Sequence, residues 1–396
     1  MINNNLIPAQ YDGREQAWIK HHVLENYLKQ LTAILGISTN KVFEFTYIDC
    51  FAGPWGDDSE SMSATSIAIS LKVLSSCKAT LEAKGFQVTM RALYVEENDL
   101  RYARLKNYLE SQAHLGIETH HIHGEFVESR GRILTLTGTS GFAFFFIDPK
   151  GFTEIKAETL RPLLERPRSE FVINFMYDFI NRIVSMKQQQ SLVKELFGES
   201  IEFDGTELNR EQTLVDKYRN NLKKLVPTRN SNFPVRSAYA TVLDPRKDRT
   251  KYHLVFITTH HKGIIKFKET YEVSSMLQDK ARAKIRENKK SQASGIVDMF
   301  SEDEPYIDNT ETKNNEPRID EFWLKYIGTI RTVTEVNFAD ILEQEPWFPK
   351  ELQASLLRLI AAHRVKNLDA LKPRTKRPLH YEEKSGERLQ VLAPKT

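Results

Sequence analysis

Tyr47-Ile48-Asp49-Cys50-Phe51-Ala52-Gly53-Pro54-Trp55-Gly56 joins an apolar run at residues 43–48 to a stretch with helical spacing at residues 63–84. In the second stretch Ser66, Ala68, Ile69, Leu71 and Leu74 supply one face. Such a strand-turn-helix unit brings backbone close to a ligand at its glycine, and a strand-tip carboxylate, here Asp49, can hold a polar or cationic group. The spacing is not G-x-G-x-x-G, because Pro54 and Trp55 separate Gly53 from Gly56. Proline removes an N–H and tryptophan crowds the turn, so the loop makes a poor pyrophosphate cradle. It points away from a nicotinamide dinucleotide and towards a cofactor without phosphates. A tight connector with no ligand is the plainer reading of the same turn.

The alternation continues on both sides. Residues 14–35 read as a helix, with Trp18, Val23, Tyr27, Leu31 and Ile34-Leu35 spaced along it and Gly36 as a stop. Residues 90–95 form a strand ending in Glu96-Glu97, 99–111 a helix, 118–122 a strand before Gly124-Glu125, and 129–137 a helix. The most apolar strand, 142–147, stops at Asp148-Pro149, and 171–175 ends near Asn174. Continuous apolar strands between helices predict a parallel sheet covered on both faces. Residues 237–243 and 252–258 flank a polar, Pro-containing segment and read as a hairpin. The fold class expected is therefore α/β: a Rossmann-like methyltransferase sheet, mostly parallel with an antiparallel last strand, plus a small C-terminal α+β module.

The organisation expected is an N-terminal helix packed on the core (1–36), a Rossmann domain (37–279), a mobile linker or loop (280–318) and a helix-plus-hairpin module (319–396). The linker expectation rests on the basic run at 280–290 and the acidic, apolar-poor stretch at 301–316. A chain of 396 residues with 40% hydrophobic and 28% charged residues is globular in composition, and a net charge of +3 is too small to argue for nucleic acid without local clustering. Two cysteines, Cys50 and Cys77, exclude a disulfide framework and a four-thiolate zinc site. The start Met-Ile-Asn-Asn-Asn lacks a signal peptide's features and no run reaches the apolar length of a membrane span, so a cytoplasmic protein is expected.

Four strand tips carry the candidate chemistry. Glu96 stands where an acid accepts from a ribose diol; with Glu97 it equally suits exposed charges opening a helix. Glu125, beside Phe126, could accept from the exocyclic amine of an adenine, or simply belong to a surface turn. Asp148-Pro149-Lys150-Gly151-Phe152 offers a carboxylate in a proline-stiffened loop, able to accept hydrogen bonds from a flat amine, with Phe152 available to stack on an extruded base. Asn174 would position substrate or cap a helix. Asn181-Arg182 and the helical Lys20-His21-His22 are secondary candidates. In the tail Lys366, Lys372, Arg374, Lys376, Arg377 and Lys384 interleave with His380 and Tyr381, a pattern that follows a phosphate backbone or forms a solvated basic surface. No H-E-x-x-H, C-x-x-C or G-x-x-x-x-G-K-[ST] pattern occurs, so no metal site is expected.

Taken in order, Tyr47 to Trp55, Tyr94-Val95-Glu96, Phe146 to Gly151, Val172 to Met176, Asn181-Arg182 and His260-His261-Lys262-Gly263 resemble the three-Cys-motif partner proteins (TcmP) over roughly residues 14–270. The resemblance implies a methyltransferase-like fold and a partner, a three-cysteine-motif protein similar to radical S-adenosylmethionine enzymes. A looser likeness is to amino-group methyltransferases of DNA and RNA, whose Asp-Pro-Pro-Tyr loop is replaced here by Asp148-Pro149-Lys150-Gly151. On these likenesses S-adenosylmethionine is the expected cofactor, held by Asp49, Phe51, Gly53, Glu96 and Glu125. Asp148, Pro149, Phe152 and Asn174 would then present an exocyclic amine of DNA or RNA. The other reading is a non-catalytic adaptor of the three-cysteine protein, with a role in phage defence resting on that association alone.

Overall fold

The computed structural model describes residues 7–37, 41–53, 62–201, 209–228, 233–294, 310–382 and 385–393. The chain divides into two compact units, Met1–His260 with Val273–Asn288, and His261–Glu272 with Lys289–Thr396.

In the first unit the elements run α1 (Glu15–Ile37), β1 (Val42–Asp49), α2 (Ser66–Glu82), β2 (Gln87–Glu96), α3 (Asp99–Ser111), β3 (Glu118–His123), α4 (Phe126–Thr137), β4 (Phe142–Ile147), α5 (Ala157–Leu164), β5 (Ser169–Phe175), α6 (Tyr177–Val184), α7 (Gln190–Phe197), α8 (Arg210–Lys223), β6 (Arg236–Leu243) and β7 (Thr250–Thr258). The seven strands form one sheet in the order β3-β2-β1-β4-β5-β7-β6. Strands β1 to β5 pair in parallel, whereas β7 runs antiparallel to both β5 and β6. Six strands therefore point one way and β7 alone is reversed, the mostly parallel sheet with an antiparallel last strand expected from the sequence.

Burial explains the order. All of β5 and residues 143–147 of β4 are buried, as central strands covered on both faces must be. Each fully buried phenylalanine there contributes about 2 kcal/mol. Helix α1 covers one face through Tyr27, whose ring lies 4.9 Å from Phe256 and 5.9 Å from Phe144. The Tyr27 hydroxyl donates to Glu170 Oε2 at 2.7 Å, and the Thr258 hydroxyl donates to Glu170 Oε1 at 2.7 Å. Burial pushes the Glu170 carboxyl up to about 7, with the two hydroxyl donors pulling the other way.

Helix α9 (His261–Ser294) belongs partly to each unit. It corrects the expected linker at 280–318, because the basic run is helical. The stretch Lys-Ala-Arg-Ala-Lys-Ile-Arg-Glu contains strong helix formers and no Gly or Pro. Arg282 and Arg286 both reach Asp248 Oδ1, at 3.0 and 3.4 Å, and Ala281 is buried. The border expected at 279/280 thus falls inside a helix. Residues 310–318 are helical too, while 295–309 lie outside the described residues.

The second unit adds α10 (Thr310–Ile327), β8 (Ile330–Val333), α11 (Glu335–Gln344), α12 (Pro349–Ala361), β9 (Val365–Asn367) and β10 (Glu387–Val391). Its antiparallel sheet has the order β8-β10-β9, so β8 joins the two strands read from the sequence. Trp323 is fully buried and its Nε1 donates to Leu352 O at 3.1 Å. Tyr381 stacks on Phe338 at 4.0 Å, and Arg374 clamps Glu387 of β10 with two bonds of 2.6 and 2.8 Å. Among the described residues no helix is long and apolar enough to cross a membrane.

Candidate functional site

Strand order reverses between β1 and β4, and in open α/β sheets ligands sit at such a switch, beyond the carboxyl ends of the strands. Register aligns the tips: Asp49 of β1 lies opposite Tyr94 of β2 and Phe146 of β4, so Glu96 and Asp148 each stand two residues further out. A cleft of about 540 Å³, including its open mouth, lies here. The loop after β1 lines it with Cys50, Phe51 and Gly53, and the end of β2 with Glu96 and Glu97. Gly124 and Phe126 follow β3, and Asp148, Lys150 and Glu154 follow β4.

The first loop is pinned from both sides. Cys50 N donates to Phe146 O at 3.0 Å and Ala52 N to Val95 O at 2.8 Å. Gly53 sits against Glu96 so closely that a Cβ there would lie 2.0 Å from Glu96 Oε2. The Glu96 carboxylate, 4% exposed, accepts from Asn98 N at 2.8 Å and has Arg101 at 3.8 Å. Phe51 and Phe126 place their rings 4.9 Å apart as an aromatic wall.

Asp49 is fully buried and does not line the cleft. Ser66 Oγ donates to its Oδ2 at 2.6 Å, Phe51 N to its Oδ1 at 3.1 Å, and Tyr47 Oη more weakly at 3.4 Å. Burial pushes its carboxyl up to about 6, against the pull of Ser66 and the Phe51 N–H. Asp49 thus organises the loop behind the cleft rather than forming its wall. Glu125 is exposed, at the residue preceding α4, and its neighbour Phe126 takes the place in the lining. Pro54, Trp55 and Gly56 lie outside the described residues.

At β4 and β5 the structure brings Asp148 and Asn174 together. They follow the register pair Ile147–Ile173, and Asn174 Nδ2 donates to Asp148 Oδ1 at 2.7 Å. Lys20 of α1 forms an ion pair with Asp148 Oδ2, the two side chains being 14% and 18% exposed. Pro149 is buried behind them. Phe152 is half-buried, its ring 5.2 Å from that of Phe179, which carries the Arg182 guanidinium at 5.5 Å. His21 turns away from the site: it is buried, bonds to the Tyr11 hydroxyl at 3.1 Å, and is held neutral by burial and then by Lys20.

The charges of the lining carry chemical information. Among the described residues the lining holds four carboxylates, Glu96, Glu97, Asp148 and Glu154, and two cations, Arg101 and Lys150, with Asp148 paired to Lys20 from outside the lining. Two buried acceptors close by, Glu154 Oε2 and Asn174 Oδ1, lack hydrogen-bond partners among the described residues. Such a set favours a cationic, donor-rich ligand and opposes a pyrophosphate. Lys150 belongs to the loop quoted from the sequence, whereas Arg101 and Glu154 carry no sequence signal beyond following the strand-tip acids Glu96 and Asp148 by five and six residues. Among the described residues no group of three or more His, Cys, Asp or Glu side chains is placed to hold a metal ion.

The tail residues divide into two kinds. Lys366, Lys372 and Lys376 are exposed. Arg374 is committed to Glu387, and Arg377 to Glu382 and the Tyr381 ring. Lys384 lies outside the described residues.

Compared with models of known protein families and with curated proteins, the chain matches none.

Proposed function

We propose that this cleft binds S-adenosylmethionine and that the chain transfers its methyl group to an exocyclic amine of a nucleic acid base. The observation that carries the reading is the acidic cleft at the switch point, lined in part by Asp148, which Asn174 holds by a hydrogen bond. The fit rests on shape and donor set. Gly53 lets the first loop close onto Glu96, Glu96 is placed to accept from a ribose diol, and the Phe51–Phe126 wall suits a flat purine. The carboxylate-rich lining suits a sulfonium with its ammonium.

The cofactor supplies an electrophilic methyl. The protein's part is orientation: Asp148 accepts from the acceptor N–H, Asn174 fixes the carboxylate's rotation, and Pro149 stiffens the loop. Phe152 and Phe179 offer an aromatic surface beside Asp148. The exposed Lys366, Lys372 and Lys376 of the second unit suit phosphates. Incubation with methyl-labelled cofactor and bulk DNA or RNA tests the reading. Label should enter nucleic acid with the wild type and not with Asp148→Ala; no incorporation with any substrate class contradicts it.

One observation favours a second reading, an adaptor of a three-cysteine-motif protein, to whose partners the chain is similar. Asp148 is already paired with Lys20, and Lys150-Gly151 stands where an aromatic would complete a base-stacking loop. Methyl transfer abolished by Asp148→Ala excludes this as a complete account. Co-purification with a three-cysteine protein, together with an absence of transfer, would support it.

A further inference from the structure

We infer that Lys20 is a charge-setting residue of the cofactor site: by pairing with Asp148 it removes the net negative charge from that wall and so fixes how strongly the site prefers a sulfonium to a neutral thioether. The inference rests on the proposed cofactor and deepens it. Asp148 lines the cleft, whereas Lys20 does not, so Lys20 acts through Asp148. The pair is mostly withdrawn from water, which weakens solvent screening.

The geometry holding Lys20 in place is elaborate for a chance surface contact. Helix α1 is anchored on the sheet by Tyr27 to Glu170 and by the Tyr252 hydroxyl, which donates to Gln16 O at 2.8 Å. His22, two residues after Lys20, bonds to Ser274 Oγ at 2.9 Å. Asn174 occupies the other Asp148 oxygen, so the carboxylate cannot rotate away without losing a bond. Both members of the pair also act electrostatically on Asp49 at the β1 tip, Asp148 raising its carboxyl and Lys20 lowering it.

Methyl transfer converts a cation into a neutral product on the same scaffold. A site with an unpaired carboxylate on this wall would hold the substrate form tightly and release the product form readily. A site with an unpaired ammonium would do the reverse. The Lys20–Asp148 pair sets the balance between them. At separations of several ångströms in a partly dry cleft, one unit of charge changes binding of a cation by about tenfold.

The experiment measures the ratio of the Kd for S-adenosylhomocysteine to that for S-adenosylmethionine, by calorimetry on the full chain. The two ligands share every contact except the methyl and its charge, so general damage to the site leaves the ratio unmoved. Lys20→Met should raise the ratio about tenfold, and Asp148→Asn should lower it about tenfold. Lys20→Gln gives a second neutral variant should the first fail to fold. Ratios within twofold of wild type in the variants, with both ligands still binding, overturn the inference while leaving the cofactor reading intact. Binding of neither ligand to the wild type overturns the cofactor reading itself, and the inference with it.

Discussion

Gly53 and Glu96 occupy adjacent strand tips so tightly that a single added carbon on Gly53 would lie 2.0 Å from Glu96 Oε2. The carboxylate cannot simply step aside, because it is buried and holds the Asn98 N–H. Gly53→Ala should therefore displace it and forfeit a charge-assisted bond of about 2 kcal/mol. Cofactor affinity should drop by at least about tenfold, and the thermal midpoint should also fall. Titration of the variant beside the wild type checks this; unchanged affinity would show that Glu96 is not a ligand-holding group.

The Glu170 contribution to stability should fall as pH rises from about 4.5 to about 7. Glu170 is buried with its carboxyl raised to about 7, above the ordinary 4.5, so the folded state binds a proton that the unfolded state has released across that window. The contribution is complete below 4.5 and lost by about 7. Asp49, raised from 3.8 to about 6, adds the same sign over its lower window. The Glu170 effect is on the order of 3 kcal/mol at most. Urea midpoints from pH 4.5 to 7.5 should decline less steeply in Glu170→Gln than in the wild type. An identical slope in both proteins would remove Glu170 as the cause.

In the second unit Gly386 has φ +66°, and a Cβ there would lie 2.5 Å from the carbonyl oxygen of Val333. Glu387 pairs with Val333 one residue later, so the turn cannot relax without slipping the β8–β10 register. Gly386→Ala should destabilise this unit by about 2 kcal/mol or more. Differential scanning calorimetry should show the loss; a wild-type profile would mean that the turn is softer than its geometry.

Much of the fold is legible in the sequence because its strands are apolar without interruption. Phe142-Ala-Phe-Phe-Phe-Ile147 has no plausible place except a covered strand, and an acid ends the runs of β1, β2 and β4 at Asp49, Glu96 and Asp148. The polar face of a helix and a solvated linker read alike, which is why 280–294 and 310–318 looked like linker. Helix propensity, rather than apolar content, was the signal to follow there. Strand β8 lacks a strand's apolar signal in the sequence, because Ile330, Arg331 and Thr332 are exposed and only Val333 is buried. The Lys20–Asp148 pair spans 128 residues, and nothing local in either segment announces the other. Glu125 and Phe126 exchange roles because one residue of register at a helix start decides which side chain faces inward.

Calorimetric titration of the wild-type chain with S-adenosylmethionine tests most directly whether the acidic switch-point cleft holds a sulfonium cofactor. Saturable binding, weakened by Glu96→Ala, is the result expected. Absence of heat from the wild type at millimolar cofactor, confirmed by equilibrium dialysis, would contradict it.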